Sequence, residues 1–316
     1  MSHMSHKYIT VFIPVYNGER YLGECINAVL SQELPEGYNL DFIVIDSGSS
    51  DNSVQIAQQY GDKIRFSQIP NSEFGHGKTR NKATRMAKGN YILFITQDAT
   101  PTHKRWLINM IEPFLISDKV GCVFGRQIPR PFAVPTIKRE VSGVFGNLGA
   151  ADSIILHRNN SMVDGKPTNP LNSFFSDANS AVRVDLLTGD IPFRDIPYSE
   201  DQALAEDMQI KGYLKAYTPG GSVWHSNEYT AKQYYHRKFD EYTGLQDSVG
   251  LNMKPSKKSL LLGWIVPTMH DVKFTLKDHD YTIKAKIKFM MFSPAYNFAE
   301  KAGRYNSLKY YNDHEF

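Results

Sequence analysis

Residues 8–17, YITVFIPVYN, are a run of β-branched and aromatic residues that stops at a Pro-x-Tyr-Asn turn. The run reads as a buried strand, because a strand covered on both faces is apolar at nearly every position. Immediately after it, Tyr21, Leu22, Cys25, Ile26, Val29 and Leu30 recur at helical spacing and make one apolar face. A second strand, LDFIVID (40–46), runs into DSGSSDNS and a helix over 54–59. A third, KIRFSQI (63–69), leads through the loop PNSEFGHG to a basic helix over 78–88. The fourth is NYILFITQDATP (90–101), whose run of β-formers stops at Asp98. This alternation predicts an α/β domain with a mostly parallel sheet, flanking helices and right-handed crossovers. Such sheets bind ligands at the carboxyl ends of their strands, where Asn17, Asp46, Asp51 and Asp98 fall.

Beyond Pro101 the pattern loosens. VGCVFGRQIP (120–129) reads as a strand and RPFAVP as a Pro-broken loop. Residues 151–172 are polar and Asn-rich and read as a mobile flap. ANSAVRVDLL (178–187) resumes order, YSEDQALAEDMQIKGY (198–213) opens a helix, and KAYTPGGSVWHS (215–226) is a strand and turn that reaches His225. The expected organisation is an appended leader over 1–7, one catalytic-size domain over 8–225, and a basic-aromatic helical module over 226–316.

Composition excludes several classes. The chain of 316 residues is 41% hydrophobic and 22% charged, with a net charge of +3, so no global basic field points to nucleic acid. The excess is local: residues 226–316 hold 14 Lys+Arg against 10 Asp+Glu, leaving 22 against 23 elsewhere. Two cysteines, Cys25 and Cys122, sit in apolar stretches; they exclude a disulfide scaffold and fit a reducing cytoplasm. The start, MSHMSHKYIT, lacks the apolar core of a signal peptide, and its repeated Met-Ser-His reads as a tag remnant. The longest apolar run, Leu260 to Val266, is far below the roughly 18 residues of a membrane span.

The residues with chemical potential each allow a plainer reading. Asp98 is either a turn-capping acid or a ligand for a hard divalent cation. Asp46 and Asp51 bracket small residues that suit either helix capping, by Ser50 or Asp51, or close approach of a nucleotide base. No Walker loop and no Gly-x-Gly-x-x-Gly is present. His76, Lys78 and Arg80 follow glycines at a helix start, where anions are favoured, although such charge runs are commonly solvated faces. Ser199 and Gln202 match a capping box, while Asp201, with Glu200 beside it, has the chemistry of a general base. His225 is either a structural histidine or a second ligand beside one carboxylate.

In this order, FIPVYN with its helix, VIDSGSSDNS, the Arg80 helix, the strand ending at Asp98 and SED at 199–201 resemble the inverting family 2 glycosyltransferases of the GT-A fold. The resemblance spans residues 8 to about 225. EFGHGKTRN, TQDATP and FGRQIPRP bring it closest to bacterial rhamnosyltransferases. It implies that Pro14, Tyr16, Asn17, Asp46 and Ser47 line the nucleotide, with His76, Lys78, Arg80 and Gln97 also on the nucleotide-sugar and Arg80 at its diphosphate. It further implies Asp98 and His225 on Mg²⁺ or Mn²⁺, Asp201 as the base, and Glu200, Arg126 and Trp224 on the acceptor side. Two departures stand out: Ser47 replaces a second acid of the first motif, and Thr96-Gln97-Asp98 replaces the usual Asp-x-Asp. Rhamnosyltransferase-like relatives share both, so the implied donor is dTDP-L-rhamnose, with a UDP-hexose as fallback, and the implied acceptor a lipid-linked saccharide. The rival from another class is a catalytically silent GT-A domain that binds nucleotide or carbohydrate. The tail has two compatible readings: a helical cap, and a peripheral surface at the inner face of the plasma membrane.

Overall fold

The structure, a computed structural model, describes residues 7–150, 152–158, 162–163, 166–167, 174–249 and 253–313. Its contacts divide the chain into two compact units: residues up to Gln127 together with Leu148–His225, and Ile128–Asn147 together with the chain from Ser226 onward.

The first unit is a mixed α/β domain. Its elements begin as the alternation predicts: β1 (Lys7–Val15), α1 (Leu22–Leu30), β2 (Tyr38–Asp46), α2 (Ser53–Gln58), β3 (Arg65–Gln68), α3 (His76–Met86) and β4 (Tyr91–Ile95). Then come β5 (Thr100–Pro101), α4 (Trp106–Ile116) and β6 (Val120–Ile128). After α5 (Pro135–Gly146), which belongs to the second unit, follow β7 (Ile155–His157) and a short hairpin of β8 (Met162–Val163) and β9 (Lys166–Pro167). The unit closes with β10 (Asn179–Arg183), α6 (Val184–Thr188), α7 (Glu200–Ile210) and β11 (Leu214–Trp224). Lys7 opens β1, whereas residues 1–6 lie outside the described residues. Of the stretch read as a flap, 155–157 pair with β11 as a strand, and much of the rest lies outside the described residues.

Nine strands form one sheet in the order β3-β2-β1-β4-β10-β6-β11-β5, with β7 on β11. β3, β2, β1 and β4 are parallel, and β6 runs the same way because β10 is antiparallel to both β4 and β6. Ile9, Val11, Phe12 and Ile13 are all wholly buried, which is why β1 carries apolar side chains on both faces. Leu22, Cys25, Ile26 and Val29 form the buried stripe of α1. Cys25 and Cys122 are both free and buried.

The register sets the site. Val15 pairs with Asp46 and Asp46 with Gln68, so β1, β2 and β3 end level. β10 enters antiparallel with Asn179 opposite Ile95, so the residues before β10 arrive at the carboxyl end of β4. β11 ends with Trp224 opposite Thr100, which brings His225 to the turn that carries Asp98.

The second unit is helical: α5, α8 (Ala231–Val249), α9 (Lys257–Leu262), α10 (Ile265–Lys277) and α11 (Ile283–Asp313). Tyr234 and Ile137 are among its buried apolar residues. Buried Lys138 pairs with Asp278 and Asp280 at 2.6 and 2.8 Å. Among the described residues no helix is long and apolar enough to cross a membrane.

Candidate functional site

The turn after β4 places Asp98, one quarter exposed, with its Oδ2 3.6 Å from His225 Nε2. His225 Nδ1 lies 2.8 Å from Gln127 Oε1, and the Gln127 amide donates to Ser176 Oγ at 2.9 Å. An amide oxygen only accepts, so Nδ1 carries the proton and the lone pair of a neutral ring sits on Nε2, directed at Asp98. A carboxylate and an imidazole lone pair facing each other repel unless a cation or proton lies between them. The pair fits an imidazolium–carboxylate contact, and its donor types also fit part of a divalent-cation site that keeps other positions for phosphate and water. Among the described residues no group of three or more His, Cys, Asp or Glu with metal-holding arrangement occurs.

Ser176 leads straight into Asp177, which the sequence reading did not single out. Asp177 is buried; its Oδ2 lies 2.8 Å from Arg80 Nε, and its Oδ1 accepts from Ser180 Oγ at 2.6 Å. Its backbone N–H donates to Asp201 Oδ2 at 3.2 Å. Arg80 Nη1 reaches Glu200 Oε1 at 2.8 Å, and His76 Nδ1 stands 3.9 Å from the same oxygen. One guanidinium thus sits among three carboxyls. Burial pushes the Asp201 carboxyl up to about 6, helped by the Glu200 charge and opposed by Arg80. Burial likewise raises Asp177 to about 6 against the pull of Arg80, so the two acids titrate as a linked pair. Burial opposes charge on Arg80, yet Asp177, Glu200 and Asp201 together raise it above its ordinary value.

The start of α7 is built for this arrangement rather than for a capping box. Ser199 has φ +61°, and its side chain makes no capping hydrogen bond. An N-cap needs an extended backbone to aim its oxygen at the first turn, so the left-handed residue cannot serve. It turns the chain sharply, and Glu200 and Asp201 follow at once. Gly77 in the first turn of α3 has a matching role: a Cβ there would lie 2.1 Å from the Arg194 carbonyl oxygen. Only glycine lets α3 approach close enough for Arg80 to reach the acids.

At the other end of the rim, Asp46 is wholly buried. Its Oδ1 accepts from the Gly48 and Ser49 amides at 3.0 and 3.1 Å, while Oδ2 has no hydrogen-bond partner. An orphaned buried acceptor at a strand end suits an N–H of a nucleotide base. Ser47 turns its hydroxyl onto the Val15 carbonyl at 3.0 Å, Pro14 is half-buried and Tyr16 is exposed. Gln97 clamps the backbone of Tyr16 from both sides at 2.9 Å, and Asn17, at φ +48°, accepts from the Ser50 amide at 2.8 Å. Asp51 is consumed structurally. Burial raises its carboxyl, but hydrogen bonds from Ser53 and the Glu19 amide outweigh this and hold it below the usual range. Lys78 is exposed on α3 and does not join the acid cluster. Arg126 and Trp224, both half-buried, lie near the ends of β6 and β11.

Residues 10–187 match the family model described as Glycosyl transferase family 2, which is more than half of the chain. The chain belongs to glycosyl transferase family 2. This family 2 chain is 33% identical over 236 residues to the O-antigen chain rhamnosyltransferase WbaN of Salmonella anatum, covering 73% of this chain and 70% of that one. It is 31% identical over 237 residues to the O-antigen chain rhamnosyltransferase RfbN of Salmonella typhimurium, with the same coverage. Among solved structures, it resembles the mannosyltransferase PcManGT of Pyrobaculum calidifontis in complex with GDP-Man and Mn²⁺. There the TM-score is 0.61 at 14% identity, over 99% of this chain and 89% of that one. S. aureus TarS 1-349 in complex with UDP-GlcNAc gives 0.52 at 16% identity, over 98% and 93%. These likenesses show that the family 2 chain has the GT-A fold.

Asp177 escaped the sequence reading because FFSDAN shows an acid in polar surroundings just before a strand. Its importance comes from β10 running antiparallel, which nothing local announces. The signal available in the sequence was an acid directly before ANSAVRVDLL, the stretch that resumes strand order.

Proposed function

We propose that the protein is an inverting transferase that moves L-rhamnose from dTDP-L-rhamnose onto a hydroxyl of a growing cell-surface polysaccharide. One observation carries the reading. A continuous chain of contacts runs from Asp98 through His225, Gln127 and Ser176–Asp177 to Asp201, joining a cation-type pair to a carboxylate base. The rhamnosyltransferase names of two relatives over 73% of the chain support the sugar. The Mn²⁺ and nucleotide-sugars in the titles of the GT-A neighbours support a cation and a donor of that class.

In this reading Asp46 accepts from the base of the donor and Gln97 fixes the Tyr16 backbone beside it. Asp98 and His225 would hold Mg²⁺ or Mn²⁺, which supplies positive charge against the departing nucleoside diphosphate. Asp201 takes the proton from the acceptor hydroxyl as that oxygen attacks the anomeric carbon on the face opposite the leaving group. The sugar then forms one C–O bond and loses another in a single displacement, and its configuration inverts. A sugar hydroxyl is a poor nucleophile at neutral pH, and a carboxylate raised to about 6 is a stronger base than an ordinary one while still ionised at pH 7. Arg80, implied by resemblance at the diphosphate, is instead assigned to the acids, since its guanidinium is buried between Asp177 and Glu200.

A screen of dTDP-rhamnose, UDP-glucose, UDP-galactose and GDP-mannose with Mg²⁺ or Mn²⁺, read by hydrolysis and thermal shift, tests the donor. Preference for GDP-mannose overturns it. Asp201→Asn should lower turnover about 10²–10⁴-fold with donor binding intact. Unchanged biological activity in that variant would favour a binding domain without catalysis.

A further inference from the structure

Helix α10 and the first turns of α11 bury polar side chains and expose large apolar ones. The buried residues of α10 are Asp271 and Thr275, and those of α11 are Ser293, Asn297, Ala299, Gly303, Ser307 and Leu308. Each of the polar ones makes a hydrogen bond within the helical unit. Asp271 accepts from Thr136, Arg139 and Asn297 at 2.6–2.7 Å, and Ser307 meets Thr243 at 2.8 Å. The exposed positions include large apolar side chains: Ile265, Met269 and Leu276 on α10, and Ile283, Ile287 and Met291 in the first turns of α11, next to exposed Lys273, Lys277, Lys284 and Lys288. Ile283 is 79% exposed and Met291 72%.

These residues form stripes. At about 100° per residue, Ile265, Met269 and Leu276 fall within an arc of roughly 40°, and Ile283, Ile287 and Met291 within roughly 80°. Lys273 and Lys277 border the first stripe on one side, and Lys284 and Lys288 border the second in the same sense. A helix in water turns its apolar stripe inward. Polar contacts inside with apolar side chains outside is the pattern of helices that meet lipid.

Charge identifies the kind of surface. Residues 254–298 hold eight lysines, no arginine, no glutamate and three aspartates. All three aspartates are paired with Lys138 or Arg139. The stripes are therefore edged by positive charge, which attracts anionic headgroups and repels a second copy of the same face. Since no described helix is long and apolar enough to cross, contact at the headgroup–acyl boundary is the arrangement that fits.

We propose that the outer face of α10 and α11 is a docking surface for an anionic lipid bilayer. The inference goes beyond the transferase reading and depends on neither its donor nor its acceptor. Flotation of the full chain with vesicles of phosphatidylcholine, with and without phosphatidylglycerol, tests it. The protein should float with the anionic vesicles, and added salt should weaken this. Ile283→Ser/Ile287→Ser/Met291→Ser should lower the partition at least about tenfold, since three apolar side chains leave the lipid. Its melting temperature should hold or rise, because the replaced side chains are exposed. Lys284→Gln/Lys288→Gln should lose about fivefold per lysine on anionic vesicles only. Failure to float with either vesicle, or flotation unchanged by the triple substitution, overturns the proposal. So does a stable dimer that the triple substitution splits while no vesicle is bound.

Discussion

At the residue scale, Arg80 is the keystone of the acid cluster. Its guanidinium is 2.8 Å from both Asp177 and Glu200, with all three side chains nearly or wholly buried. Arg80→Met would leave two buried carboxyls without their cation. Denaturant melts should show a loss of about 3–5 kcal/mol, partly recovered when Asp177→Asn is added. Gln127 acts at one remove, through His225. Gln127→Leu removes the acceptor that fixes the Nδ1 proton, and Mn²⁺ affinity measured by electron paramagnetic resonance should fall about 10–100-fold. Asp98, His225, Glu200 and Asp201 were legible in the sequence as residue types at strand and helix ends. Asp177 and Gln127 were not read as site members, because their part depends on contacts across the sheet rather than on any local spacing.

Elements explain why two local rules fail at the site. Ser-x-x-Gln before a helix normally signals a capping box, but Ser199 adopts a left-handed backbone and caps nothing. Strain of this kind costs on the order of 1–3 kcal/mol and persists where neighbouring structure enforces it. Here the Arg194–Asp207 pair, at 2.6 Å, ties the segment before α7 to the helix itself. Similarly, α3 begins on glycines with no capping side chain, because close packing of Gly77 against Arg194 takes precedence. Gly77→Ala should destabilise by about 1–3 kcal/mol and displace Arg80. Thermal melts check the first effect, and a shift in the pH profile of activity checks the second.

Across the whole molecule, pH should move activity and stability in opposite directions. In the proposed reaction Asp201 must be ionised to accept a proton, so kcat/KM should fall as pH drops through about 6. Stability has the opposite sign. Asp177 and Asp201 hold protons more tightly folded than unfolded, where their ordinary value is 3.8. Between about 4 and 6 the folded state therefore binds more protons, and the pair's contribution falls as pH rises. Melting temperatures across that window should change less steeply in this direction in Asp177→Asn.

The sequence by itself determined the strand–helix alternation, the parallel first half of the sheet and the strand-end acids. Each is written in short-range periodicity and in residues that punctuate it. Only the tertiary structure decided that β10 turns back between β4 and β6, that β11 delivers His225 to Asp98, and that Arg80 lies among carboxyls. It also decided that α10 buries Asp271 and Thr275, and that α10 and the first turns of α11 leave large apolar side chains exposed. Sequence periodicity shows that a helix has two faces. Which face is turned inward depends on the partners that the rest of the chain supplies.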